Sequence, residues 1–154
     1  MKRLLLLTVF LLSGCINIDV EINDDIESPE LTPIQTVAQY VENFNNADLK
    51  ALNDSSGTPF FWLMGDDRNV YEKYADSVDF AGLIGKGWSY SKINALELVY
   101  EDEKTAIVHM NFSRYNAKDE VILTANANYL LINDSYQWKI KGGFAPSRIT
   151  VGKD

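Results

Sequence analysis

A single histidine and a large set of aromatic side chains offer the clearest material for chemistry in this chain. His109 sits in an alternating segment in which Val108 and Met110 face one way and His109 the other. Pairing Leu98 with Val108, and Val108 with Ala127, brings Glu97 to one side of His109 and Asn126 to the other. A carboxylate beside an imidazole raises its pKa and orients it for proton transfer. On the solvent side of a sheet the same contact is a cross-strand pair worth about 0.2–1 kcal/mol. Tyr40, Phe44, Phe61, Trp62, Tyr71, Trp88 and Tyr90 suit the walls of a pocket for a small apolar or flat ligand, and equally suit a packed core. Asp66, Asp67, Asp76 and Asp79, with Tyr40, Tyr71, Tyr74 and Tyr90, are groups able to move protons, but no spacing singles out a base. Arg68, Lys86 and Arg114 can supply a countercharge and each reads as a surface residue. Gly85-Lys86-Gly87 lacks the spacing of a phosphate loop, and the paired aspartates lack that of a calcium loop. No metal site and no cofactor is expected.

The one sulfhydryl, Cys15, stands in a different context. Lys2 and Arg3 precede an apolar run, Leu4 to Leu12, interrupted by Thr8. Ser13-Gly14 then leads into the cysteine. The run is shorter than the about 20 residues that cross a bilayer, and the order of segments is that of a secretory signal. Leu12-Ser13-Gly14-Cys15 resembles the lipobox of bacterial lipoproteins. That resemblance implies cleavage before Cys15, a diacylglycerol thioether on its sulfur and an acylated new amino terminus. Several acyl chains give a stable anchor where one gives reversible binding. Ile16, in place of the aspartate that retains lipoproteins at the inner membrane, points to the outer membrane facing the periplasm. The alternative is an ordinary secretory signal.

Loss of residues 1–14 leaves 140 residues, one domain's worth. Lipidation of Cys15 leaves no thiol, which excludes disulfides, zinc–cysteine sites and a cysteine nucleophile. Lys+Arg falls from 14 to 12 against 22 Asp+Glu, a net charge of −10. Such a surface repels nucleic acid. It solubilises the domain, or meets a basic partner. Residues 15–30 carry Asp19, Glu21, Asp24, Asp25, Glu27 and Glu30 with no Lys or Arg, which suits an extended acidic tether. The alternation from Ile16 to Ile22 also fits an added edge strand. Residues 31–154 are then a single domain.

Within that domain Thr32-Pro33-Ile34-Gln35 predicts a helix start: Thr32 as N-cap, Pro33 at the first position, Gln35 closing a capping box. Val37, Ala38, Val41 and Phe44 continue at helical spacing, and Asn45-Asn46 ends the run. A short helix is expected from Asp48 to Leu52 with Leu49 and Leu52 inward. A loop follows to Pro59, then a strand from Phe60 to Met64, a helix from Asn69 to Asp76 and another from Asp79 to Ile84. From Ser91 the period becomes two, predicting strands at 91–101, 105–115, 120–132 and 136–144. Pairing Leu98 with Val108, Tyr100 with Ala106, Val108 with Ala127 and Leu131 with Trp138 keeps one apolar face across all four strands. The class is α+β.

Tyr40-Val41-Glu42-Asn43-Phe44-Asn45-Asn46-Ala47-Asp48-Leu49 resembles the opening of the nuclear transport factor 2-like superfamily, and Tyr136-Gln137-Trp138-Lys139-Ile140 its last strand. The resemblance implies a cone: a curved antiparallel sheet wrapped around N-terminal helices, with a pocket at the open end where the seven aromatic residues would lie. It also implies that the outer sheet face, with Glu97, Val99, Ile107, His109, Asn126, Asn128 and Leu130, meets solvent or a protein, a second copy or another partner. The functional expectation is a lipid-anchored, non-enzymatic binding or protein-interaction module of the cell envelope, with room for a small apolar ligand. The alternative is an isomerase, cyclase or dehydratase like the SnoaL group of that superfamily.

Overall fold

Thr32 starts the first helix as its sequence requires. Its hydroxyl accepts from the Gln35 backbone N–H (3.3 Å), while Gln35 Oε1 accepts from the Thr32 N–H (2.9 Å). In the computed structural model, which describes residues 30–147 and 149–152, this helix, α1, spans Pro33–Asn45. It buries Val37, Tyr40, Val41 and Phe44, one stripe at helical spacing. Asn45 fastens the far end. Its amide donates to the Ser91 carbonyl and accepts from the Ser91 N–H, both at 2.8 Å. Asp48 caps α2 (Leu49–Asp54) through the Ala51 N–H. Leu52 is buried there, but Leu49, at the first position of the helix, is 40 % exposed against expectation.

Six strands follow: β1 (Ser56–Met64), β2 (Asp67–Tyr71), β3 (Tyr90–Glu101), β4 (Thr105–Tyr115), β5 (Val121–Asp134) and β6 (Gln137–Ala145). α3 (Phe80–Gly85), capped by Asp79, lies between β2 and β3. The sheet order is β2-β1-β6-β5-β4-β3. The four long strands form the expected antiparallel meander. β1 joins β6 in parallel, so the curved sheet is mixed rather than wholly antiparallel. β1 also begins at Ser56, inside the stretch expected to be a loop.

The segment from Asn69 to Asp76 is not a helix. Gly65 takes a left-handed φ of 58° between β1 and β2, so the chain turns back and Val70 pairs with Phe61. A single 3-10 turn, Tyr74–Ser77, follows. The apolar residues of this segment are too few to seat a helix, and strand pairing satisfies the backbone instead.

The meander registers also differ from expectation in an instructive way. Leu98 opposes Val108 and Glu97 opposes His109 as expected, but Tyr100 opposes Ile107, because a bulge at Val99 adds one residue to β3. Val108 opposes Tyr129 rather than Ala127, and Leu131 opposes Ile140 rather than Trp138. Both shifts are two residues. A slip of two returns every side chain to the same face, so the apolar face survives in β4 to β6 although the partners change; in β3 the one-residue bulge turns Tyr100 to the outer side, and Leu98 and Tyr100 are exposed. That face packs on α1 and contains Ala106, Val108, Met110, Phe112, Ala127, Tyr129, Leu131 and Ile140.

Gly142 and Gly143 lie inside β6, not at its end. A Cβ on Gly143 would stand 2.2 Å from the Trp62 ring, and one on Gly142 2.5 Å from the Phe61 ring. The glycine pair is what lets the aromatic strand β1 approach β6.

Candidate functional site

Alternation along β4 brings five residues to the inner face: Ala106, Val108, Met110, Phe112 and, at the end of the row, Arg114. Arg114 is 5 % exposed. Its guanidinium carbon lies 5.8 Å from the Phe44 ring centre and 5.7 Å from that of Phe112. These are cation–π contacts. One terminal nitrogen, Nη1, donates to the Thr150 carbonyl, and the buried Nε–H has no partner. Among the described residues no carboxylate forms an ion pair with it. Burial pushes the guanidinium below its ordinary pKa, and the tyrosine hydroxyls of Tyr40, Tyr129 and Tyr74 draw it partly back.

Those tyrosines form the floor of the cone. The hydroxyls of Tyr40 and Tyr74 share a hydrogen bond at 2.9 Å, and the Tyr40 and Tyr129 rings stand 5.3 Å apart. Burial raises all three phenols above their ordinary range. Four of the seven aromatic candidates join this assembly. Tyr40, Phe44, Trp62 and Trp88 are buried, with Phe44 and Trp88 in edge contact at 5.3 Å. Trp62 Nε1–H donates to Ser77 Oγ (3.3 Å) and Trp88 Nε1–H to Ser91 Oγ (3.1 Å), so both indoles are satisfied internally. Two small cavities of about 30 and 20 Å³ lie beside them, both touching Tyr40, Phe112, Arg114 and Tyr129.

The other three candidates lie elsewhere. Phe61 is on the opposite face of β1 from Phe60 and Trp62, against Gly142. Tyr71 pairs with Phe60 at the sheet edge and is half-buried. Tyr90 points to the outer face, where its ring stacks on Tyr115 at 4.9 Å and its hydroxyl donates to the Asp119 carboxylate at 2.7 Å. That bond pushes its pKa up to about 12.

At the mouth of the cone the packing opens into a cleft of about 450 Å³. Leu83, Trp88, Ile122 and Leu123 form apolar walls, with Lys86, Arg114 and Thr150 supplying polar groups. The segment Ile149–Gly152 borders it. The Ile149 N–H meets Met64 Sδ, and the Val151 carbonyl accepts from the Asp79 N–H. Asp66, Asp67, Asp76 and Asp79 do not line this cleft. Asp79 instead caps α3. Two other surface clefts, of about 430 and 540 Å³, contain no buried charged side chain.

The outer face gathers its candidates into a polar ladder. His109 Nδ1 bonds Asn128 Oδ1 at 3.0 Å, not Asn126, because of the two-residue shift. Asn126 accepts from Asn111, which itself accepts from Asn94, both at 2.8 Å. Ile107 opposes Leu130, both half-buried, and Val99 at the bulge is 57 % exposed. Glu97 stands opposite His109 on β3. Arg114 is the residue that expectation misplaced. The signal for it was present: Val108, Met110 and Phe112 alternate inward, and two more steps reach Arg114. Cys15 and the tether up to residue 29 lie outside the described residues.

The fold recurs widely among solved structures, at low sequence identity. An NTF2-like protein of unknown function from Shewanella oneidensis matches with a TM-score of 0.55 and 14 % identity, over 73 % of this chain and 93 % of that one. A protein assigned as a scytalone dehydratase from Novosphingobium aromaticivorans matches at 0.54 and 11 %, over 75 % and 85 %. The beta subunit of a benzoate 1,2-dioxygenase from Burkholderia mallei matches at 0.54 and 14 %, over 71 % and 84 %. One architecture thus hosts unrelated tasks, and the likeness shows the fold alone. No curated protein sequence matches the chain. Residues 34–147, from the start of α1 to just beyond β6, match the family described as NTF2-like protein (DUF6841), and the chain belongs to that family.

Proposed function

We propose that this domain is a small-molecule-binding module, held in the bacterial cell envelope by lipid on Cys15, and that it binds without transforming its ligand. The observation that carries the reading is the contrast between the filled cone and the open cleft at its mouth. The interior voids are too small for any organic ligand. The cleft, at about 450 Å³, falls within the range of small-ligand sites. Its lining is four apolar side chains, two cations and one hydroxyl. That set grips and orients a ligand but offers no carboxylate or imidazole to abstract a proton. The scytalone dehydratase assignment of one similar structure keeps the enzymatic alternative in view. Turnover by the purified chain of a small organic substrate would favour that alternative.

Titration with small aromatic compounds, followed by backbone amide NMR, tests the binding. Shifts should gather on Leu83, Trp88, Leu123 and Thr150; shifts scattered over the surface, or none at millimolar concentration, overturn the reading. Metabolic labelling with a fatty acid tests the anchor, and the label should disappear in Cys15→Ser. We further propose a second copy or another protein on the outer face, where Val99, Ile107 and Leu130 add apolar surface to the amide ladder. Sedimentation of the unlipidated protein at micromolar concentration checks this, and monomer alone with no copurifying protein counts against it.

A further inference from the structure

We infer that the cleft selects small carboxylic acids with an apolar body, and that Arg114 is the anchor for the carboxylate; this rests on the cleft being the ligand site. Arg114 is built into the domain at a cost. A buried charge is stable when it is paired and fully hydrogen-bonded. Here, among the described residues, the guanidinium's acceptor is a neutral one, the Thr150 carbonyl on Nη1, and Nε–H has no partner. The guanidinium also makes cation–π contacts with the Phe44 and Phe112 rings. A guanidinium that lines the cleft, with two rings beside it and no carboxylate partner among the described residues, is suited to take the carboxylate of a ligand, and its planar fork does so in a geometry that lysine cannot copy.

The rest of the cleft defines the ligand's other end. Leu83, Trp88, Ile122 and Leu123 surround an apolar body, and the volume admits a single ring with a short chain. The attraction is local and not diffuse. A chain with 22 acidic and 14 basic residues repels anions at a distance, so an acid that binds does so through contact with the site. A competing account places a water beside Nε in the void of about 30 Å³, which is large enough for one. Water satisfies the N–H but leaves the charge uncompensated, and it predicts no preference among ligands.

The test compares 3-phenylpropanoate with 3-phenylpropanamide, which have nearly the same shape and differ in charge, on the full-length chain by calorimetry. The acid should bind at least tenfold more tightly than the amide. Arg114→Met should reduce the acid to the affinity of the amide, and Arg114→Lys should fall between. Equal binding of acid and amide to the unaltered protein overturns the carboxylate anchor while leaving the cleft as a ligand site. Binding of neither overturns the cleft reading and this inference with it. An acid preference that survives in Arg114→Met assigns the charge to another residue and overturns the role of Arg114. Should Arg114→Met fail to fold, NMR of the Arg114 Nε–H decides. Its resonance should move with the acid and stay with the amide, and a resonance indifferent to both overturns the inference.

Discussion

The two faces of β4 carry one unusual titratable residue each, and the protein treats them in opposite ways. His109, on the outer face, is half-buried within a run of amides and bonds Asn128 at 3.0 Å. Arg114, on the inner face, is enclosed by aromatic rings with a donor left idle. Rarity in the sequence draws attention to the histidine. Environment draws it to the arginine. An amide ladder satisfies its members and asks nothing of a ligand. A desolvated cation without a counterion is costly unless something outside the fold completes it. The lesson is that a candidate site is better ranked by what its surroundings leave unsatisfied than by how reactive its side chain is in isolation.

The sharpest break of this contrast lies one strand away, where Leu131 and Leu130 are neighbours on opposite faces. Leu131 is fully buried, and Leu131→Ala should cost about 2–5 kcal/mol in urea unfolding. Leu130→Ala, from a half-buried outer position, should cost less than about 1.5 kcal/mol. Equal costs would mean that the outer face is as enclosed as the inner one. Gly143→Ala follows closely. Its new methyl would stand 2.2 Å from a buried indole that cannot yield, a destabilisation of about 3 kcal/mol by overpacking. A stable Gly143→Ala protein would show that β1 and β6 approach less tightly than described.

Alternation is why so much of this could be read without coordinates, and why the reading stopped where it did. Period two set which residues of β4 to β6 face inward, and the capping box at Thr32 and Gln35 set where α1 begins; in β3, where bulges break the period, Leu98 and Tyr100 stand exposed against expectation. Partners were a harder matter. A slip of two residues leaves the apolar face unchanged, so the choice between Ala127 and Tyr129 opposite Val108 rests on side-chain volumes and bulges, which the pattern does not encode. β2 was missed because Val70 is its one aliphatic residue and stands exposed, so the segment has no period to detect. The task of Gly142-Gly143 has no local signature, since the aromatic rings that need the space, Phe61 and Trp62, lie some eighty residues earlier. Arg114 was legible by parity and overlooked by residue type.

Alkaline pH offers a smaller test of the same contrast. Tyr40, Tyr74 and Tyr129 all have folded-state pKa values above the unfolded value near 10, burial being the first cause. The unfolded chain therefore releases these protons first. Stability from the buried phenols is full below about pH 10 and falls as pH rises beyond it. Tyr90, outside, ionises in the folded protein near 12 through its bond to Asp119. Ultraviolet titration should show the floor tyrosines ionising only with unfolding, while the signal lost in Tyr90→Phe is one that appears before it. Ionisation of all the tyrosines without unfolding would show the floor to be open to water.

His109→Ala is the mildest change and still informative. It removes one hydrogen bond to Asn128 and the pairing with Glu97, which together should cost less than about 1 kcal/mol in dilute solution. A second copy seated on this face would make the cost grow with protein concentration, since association stabilises only the folded form. A cost that stays the same from dilute to concentrated samples would rule out a second copy on the outer face. The inner cleft would be untouched by that result. His109 and Arg114 lie on opposite sides of one strand, and nothing in the hydrogen bonding of either reaches the other.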